Sequence, residues 1–420
     1  MHIALVGHIA GEDVRAFLHA DGQPVPAGYS GAPLTGILIG ELLRLGHQVT
    51  GITTDAALPL AGGPVRLRGP GFTFVVCPAR RRAWRPNVSR HAIQLGRAVD
   101  LFALERRAVS EAIALAAPDI VHVHWSYEFA LAALDQPFPH LITCHDSPGA
   151  VLRHTRNAYR AVRYLMAQQV FRRGREFTTV SDYMAQALAP ALGHVPQVIP
   201  NPVAAAVLAL GRARTAPQTR RVAMVCNGWD RLKNPEPALQ AFAQWRAAQP
   251  LAELHLYGEG FGAGQTAQRW AAAQGISAGM QFHGRLAHSV LITRLAQADV
   301  LLHPSLEESF GVVLAEAMGL GLPVVAGQDS GAVPWVLGAD STGHSEAGIL
   351  VQVRSPKAIL AALELVFDTN YGMRSLGGVR RVGSNFSAIS VTQRYEERYL
   401  QVLSKASVPR LRSHGIAQSI

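Results

Sequence analysis

Short apolar runs alternate with helical patterns along most of the chain, and they fall into two separate series. Such alternation marks parallel α/β sheets, because neighbouring parallel strands need a crossover long enough to hold a helix. In the first series strands are expected at residues 3–6, 48–53, 73–76, 120–124, 140–144, 177–180 and 197–199. The second series gives 221–226, 253–257, 280–283, 300–303 and 323–326. Each series opens on a strand that runs into a glycine-containing loop, HIALVG and RVAMVCNG. The chain reads as α/β, two Rossmann-like domains facing a central cleft, and its 420 residues exceed what one core usually organises. The division is 1–202 for the first domain, 203–220 for an Ala-, Pro- and Arg-rich linker after Pro200-Asn201-Pro202, and 221–385 for the second domain. A terminal helix is expected within 386–405 and a loose tail over 406–420.

Composition narrows the setting. No run of eighteen apolar residues occurs, and the start, MHIALVGHIAGEDVRAF, reads as a first strand and not as a signal peptide. Cys77, Cys144 and Cys226 lie far apart in apolar runs, as reduced core residues of a cytoplasmic protein do. The net charge of +10 gathers as arginine at Arg80, Arg81, Arg82, Arg85 and Arg90, and again at Arg153, Arg156, Arg160, Arg163, Arg172, Arg173 and Arg175. The spacing 153, 156, 160, 163 is helical and would line four guanidinium groups along one face. That face is either solvated or drawn to an anionic membrane surface. Without a recognisable binding module or regular aromatic interleaving, nucleic acid is not an expected partner.

The richest chemistry lies in HPSLEESFGVVLAEAMGLGLPVVAGQDSG, residues 303–331. Glu308 and Glu316 stand eight residues apart, which on a helix is about 800° of rotation, so they lie within roughly 80° of one another and up to ~12 Å apart. Between them Ser309-Phe310-Gly311-Val312 is expected to form a first helical turn, with unpartnered N–H groups suited to a phosphate. Glu308 would then contact sugar hydroxyls, the helix start a diphosphate and Glu316 a ribose. The alternative is that Glu308 merely caps a core helix and Glu316 sits on its solvated face.

The whole string resembles the EX7E signature of retaining glycosyltransferases of family 4, also called group 1. Pro304, Ser305, Glu308, Phe310, Gly311, Glu316, Ala317 and Met318 stand in register with it, followed by Gly321, Pro323, Val324, Val325, Ala326 and Gly331. The resemblance implies a GT-B fold whose terminal helix crosses back to the first domain. It implies donor contacts at Glu308, Phe310, Gly311, Val312, Val313 and Glu316. In the loop Gly28-Tyr29-Ser30-Gly31-Ala32-Pro33, ahead of a helix expected from about 34 to 45, it selects Gly31 for closest approach to the donor. In TCHDSPG it selects His145 as a contact to the reacting sugar. His122 and His124, on one face of VHVHW, fit satisfied core residues better than a metal pair.

Lys233, one of only three lysines, sits in GWDRLKNPEPAL, where the family carries its diphosphate-binding Lys. The Arg that usually precedes it is replaced by Asn227 and Gly228, so Arg231 is the candidate substitute. The turns Tyr257-Gly258-Glu259-Gly260 and His283-Gly284-Arg285-Leu286 match loops that receive the base, with Gly258, Arg285 and Leu286 as contacts. No Asp-x-Asp triplet occurs, so neither a metal nor any other cofactor is expected.

The function so implied is retaining, metal-independent transfer from a UDP-, GDP- or ADP-linked sugar to a glycan or lipid-linked acceptor in surface or exopolysaccharide assembly. Glu308, His145 and Lys233 are its catalytic candidates. The expected location is the cytoplasm, free or seated peripherally on the inner face of the membrane. A nucleotide-sugar epimerase of the same fold and a non-catalytic scaffold in glycan assembly are the alternatives.

Overall fold

The computed structural model describes residues 1–20, 22–29, 31–88 and 93–407. Ser30, Arg90 and the tail at 408–420 lie outside the described residues. The first half supplies β1 (His2–Val6), β2 (Gln48–Asp55), β3 (Val65–Gly69), β4 (Phe72–Pro78), the ribbon β5 (Asn87–Val88) and β6 (Ile93–Gln94), β7 (Ile120–His124), β8 (His140–Cys144), β9 (Phe177–Thr179) and β10 (Gln197–Val198). The second half supplies β11 (Arg221–Val225), β12 (Glu253–Tyr257), β13 (Met280–Gly284), β14 (Val300–His303), β15 (Val324–Gly327) and β16 (Gly348–Val351).

One sheet runs β10-β9-β8-β7-β1-β2-β4-β3 and the other β13-β12-β11-β14-β15-β16. All pairings in these two sheets are parallel except β3 with β4. In each sheet the strand that opens the half lies inside, so the chain order reverses beside β1 and beside β11. Crevices open at such reversals, at the carboxyl ends of the strands.

Burial explains which runs became strands. Ile3 to Val6 are fully buried between β2 and β7, with Ile3 facing Val49 and Ile120 in register. A strand covered on both faces reads as a continuous apolar run, as β1 and β15 do. By contrast, β3 is an edge strand, VRLRG, in which Leu67 alone is fully buried, and its apolar signal is correspondingly thin.

Two helices close the first sheet on one side. In Pro33–Arg44 the residues Leu38, Ile39 and Leu42 form a helical stripe onto Ile3, Leu5, Val49 and Phe74. The same cluster receives Val391, Tyr395, Tyr399 and Val402 from Ala388–Ser407, so the last helix packs on the first sheet. Each such large side chain contributes about 1.5–3 kcal/mol on burial. The two crossings between halves run side by side, with Val203 N–H donating to Phe386 O (2.7 Å) and Ala388 N–H to Val203 O (3.1 Å).

The expected four-arginine face does not form. The helix Pro148–Thr155 ends at Arg156, whose φ is 44°, and Asn157 caps the next helix, Ala158–Arg173, by accepting from Arg160 N–H. Arg163 is buried over the Tyr127 ring, 3.8 Å from its centroid, and paired with Glu128. Arg80 is also interior, 1% exposed and bound to Asp100 and Glu105. Both arginines answer carboxylates at least partly withdrawn from solvent and do not face a membrane. The three cysteines are buried and free. No helix among the described residues is long and apolar enough to cross a membrane.

Candidate functional site

The loop after β11 is built to hold one lysine. Asp230 Oδ1 accepts from Leu232 N–H (2.8 Å) and Lys233 N–H (2.9 Å), while Asn234, at φ 49°, donates to Pro304 O and Val353 O. Lys233 Nζ thereby reaches Glu308 Oε1 at 2.7 Å, and His303 Nε2 lies 3.2 Å from the same oxygen. Burial by itself would raise the Glu308 carboxyl, but the His303 hydrogen bond and the Lys233 charge hold it below the ordinary carboxylate range. Burial likewise opposes the Lys233 charge, and Glu308 outweighs it and raises the ammonium.

The helix after Glu308 starts later than its sequence suggested. It spans Val312–Gly319 with Gly311 as N-cap at φ 82°, so Ser309 and Phe310 precede it. No side chain caps it; Leu314 N–H donates to Gly311 O (2.9 Å), and the amides of Val312 and Val313 stay available. Phe310 is not turned to a ligand: it is 2% exposed and packs edge-on against Trp335 and Phe386, anchoring the loop. Val312 and Val313 are partly exposed at the helix start. Glu316 is not on a solvated face; it is 5% exposed, with His288 Nε2 2.6 Å from Oε1.

A cavity of about 410 Å³ lies between the two sheets. Glu12, Asp13, Gly31 and Pro33 line it from the first half, and Asn227, Tyr257, Gly258, Arg285, Leu286 and His288 from the second. Four expected site residues, Gly31, Gly258, Arg285 and Leu286, therefore share one space. Gly258 has φ 112°, and a Cβ there would fall 1.9 Å from Cys226 O, so the turn requires glycine. Arg231 does not line this cavity; it stands exposed, with no hydrogen bond or ion pair among the described residues.

His145 follows β8 and sits at the same carboxyl edge, with its Nε2 2.8 Å from His124 Nδ1 and its ring 4.5 Å from Trp125. Burial pushes its pKa down to about 3, so it is neutral. His122 is a satisfied core residue, 2.7 Å from Tyr399 Oη and 2.8 Å from Thr143 Oγ1.

Sequence reasoning did not single out His288, His303, Glu307 or His8. Glu307 takes a hydrogen bond from Tyr183 Oη (2.7 Å) and meets His154, and Ser181 Oγ donates to Ser309 O (2.6 Å). The loop carrying Glu308 is thus docked on both sides of that residue to the first half. Of the four, only His303 carried a signal, as the last residue of a strand five positions before Glu308.

An ionised carboxylate, an ammonium and an uncapped helix start suit a ligand that combines hydroxyls with a diphosphate. Comparison with known proteins leads the same way. The family model for glycosyl transferases group 1 matches residues 212–375, and that for glycosyltransferase family 4 matches 36–207. D-inositol 3-phosphate glycosyltransferase of Geodermatophilus obscurus is 34% identical over 161 residues, 36% of this chain and 34% of that protein. Glycogen synthase of Mycobacterium tuberculosis is 27% identical over 267 residues, 60% of each chain. The chain thus spans about a third to three fifths of the length of these relatives.

Among solved structures, sucrose-phosphate synthase of Thermosynechococcus elongatus superposes with a TM-score of 0.71 at 19% identity, covering 96% of this chain and 100% of that one. Anabaena Alr3699/HepE, solved with UDP and glucose, gives 0.61 at 16%, covering 96% and 100%. The fold these structures share is the GT-B architecture. Two facing α/β sheets, matched in both halves by complementary models, identify the chain as a member of the group 1 glycosyltransferases of family 4.

Proposed function

We propose that the protein transfers a sugar from a nucleotide-diphosphate sugar to an acceptor hydroxyl, with retention at the anomeric carbon and without a metal. The observation that carries this reading is the Lys233–Glu308–His303 cluster just ahead of the uncapped helix at Val312. Glu308, held ionised, accepts hydrogen bonds from the donor sugar. Lys233 and the first-turn amides of Val312 and Val313 stabilise the departing diphosphate, which is where negative charge grows. Glu316, oriented by His288, takes the ribose hydroxyls, and the turns at Gly258 and Arg285-Leu286 receive the base. Gly31 closes on the donor from the first half, and neutral His145 contacts the reacting sugar.

In the step itself the bond from the anomeric carbon to the diphosphate oxygen breaks as the acceptor oxygen bonds to the same face. The acceptor proton passes to the leaving diphosphate oxygen. UDP, GDP and ADP sugars are the candidate donors, and the relative solved with UDP and glucose supports a donor of this class. The acceptor is a glycan or a lipid-linked saccharide used in surface or exopolysaccharide assembly, met in the cytoplasm or at the inner membrane face.

A thermal-shift screen of UDP-, GDP- and ADP-linked sugars, run beside Lys233→Ala and Glu316→Ala, tests the donor site. Stabilisation by one nucleotide class, lost in both variants, is the expected result. Nucleotide release that needs acceptor and survives EDTA supports metal-free transfer, whereas turnover of donor without any acceptor points to an epimerase. No binding of any nucleotide sugar, with or without acceptor, overturns the reading.

A further inference from the structure

One feature of the first half is unused by the donor. Tyr29 lies flat on His8, with ring centroids 3.7 Å apart and planes 7° apart, and Trp125 covers His8 at 4.1 Å. One face of Tyr29 is therefore held, yet the residue is 47% exposed. His8 follows β1, and Trp125 directly follows β7, so the stack stands at the carboxyl edge of the first sheet. Gly31, two residues beyond Tyr29, lines the cavity between the sheets beside Glu12 and Asp13. Trp125 holds φ at 69°, a left-handed conformation that bulky side chains avoid and that recurs at ligand sites.

We propose that Tyr29, His8 and Trp125 form the platform on which an uncharged pyranose ring of the acceptor stacks, Tyr29 giving the contact face. The assignment rests on the sugar-transfer reading and names the class of its second substrate. The C–H face of a pyranose is apolar with slightly positive hydrogens, and it complements the negative face of an aromatic ring. Glu12 and Asp13, on the adjoining wall, accept hydrogen bonds from hydroxyls and repel a phosphate. The imidazoles offer an anion no charge, because burial pushes His8 and His145 down to about 3. Arg163, whose charge reaches His8, is already paired with Glu128.

The test uses the full chain, UDP-glucose, GDP-mannose or ADP-glucose as donor, and glucose, mannose, maltose and the two hexose 6-phosphates as acceptors. Nucleotide release is followed for wild type, Tyr29→Ala and Tyr29→Phe. Tyr29→Ala is expected to raise the acceptor KM roughly tenfold with kcat within about threefold, and Tyr29→Phe to stay near wild type. Donor-induced thermal stabilisation should persist in both variants, which separates this site from the donor site. An unchanged acceptor KM in Tyr29→Ala overturns the platform. Preference for the 6-phosphates overturns the uncharged acceptor and moves recognition to the exposed Arg153 and Arg156. If wild type releases no nucleotide with any pair, the donor-induced thermal shift decides the transferase reading by itself. Saturation-transfer NMR of the neutral sugars then decides the platform, through ring-proton contacts present in wild type and absent from Tyr29→Ala.

Discussion

Glu308 is the residue on which opposing forces meet, since burial works against its charge while His303 and Lys233 sustain it. Its folded carboxyl lies below the ordinary value of 4.5, so its stabilisation is complete above that value and fades as pH falls toward the folded one. Glu308→Gln removes the titration. The stability gap between wild type and Glu308→Gln should therefore narrow between pH 5 and pH 3, read as urea midpoints; a constant gap would show that the carboxylate is not held ionised. At neutral pH the same variant should lose transfer by about 10²-fold or more, because a neutral amide neither pairs with Lys233 nor accepts as strongly. Lys233→Ala strands a buried carboxylate and should cost about 1–3 kcal/mol in addition to donor affinity. Calorimetric unfolding separates that cost from lost binding.

The elements differ in how plainly the sequence announces them. Continuous apolar strands such as β1 and β15 were readable, because burial on both faces leaves no other pattern. Edge strand β3, with exposed arginines, carries no such run, whereas β16, GILV at the edge of the other sheet, does carry one and was passed over because it is only four residues long. The helix break at Arg156 had a local signal in Asn157, a good N-cap, but periodicity alone ran the helix through it. Glu308, Glu316 and Lys233 were found through a motif with fixed spacing. The partners His288 and Tyr183 were not, because folding and not spacing brings them within reach, and His303, only five residues before Glu308, was passed over as the end of a strand.

Two elements invite direct tests. Tyr399→Phe deletes the hydroxyl facing His122 Nδ1 in the packing of the terminal helix, and the orphaned nitrogen should cost about 1–3 kcal/mol in chemical unfolding. Tyr183→Phe frees one side of the Glu308 loop from the helix Asp182–Leu192. That part-buried contact is worth about 0.5–1.5 kcal/mol, so kcat should fall while the fold persists. An unchanged kcat would mean that docking of the loop does not position Glu308.

At the scale of the molecule, the halves are joined by the paired crossings at 203 and 387, by the docked loop at Glu307, and by charges facing across the cavity. His288 belongs to the third set. Its hydrogen bond to Glu316 outweighs burial and raises it above 6.5, and Asp13 from the opposite half adds to the rise. A raised histidine stabilises fully below its unfolded value, and that contribution is lost as pH climbs through the folded one. Asp13, raised chiefly by burial and by Glu12, changes stability in the same direction over a lower range. The advantage of wild type over His288→Gln should therefore be largest near pH 6 and shrink toward pH 9, in both unfolding midpoint and donor affinity. His288 weakens the molecule as pH climbs above 6.5. Buried His8, His122 and His145, held down to about 3, weaken it as pH falls below 6.5, and Glu308 adds to that loss below 4.5, so its firmest state falls near neutral pH. An advantage over His288→Gln that does not shrink between pH 6 and pH 9 would show that the cavity charges do not help hold the halves together.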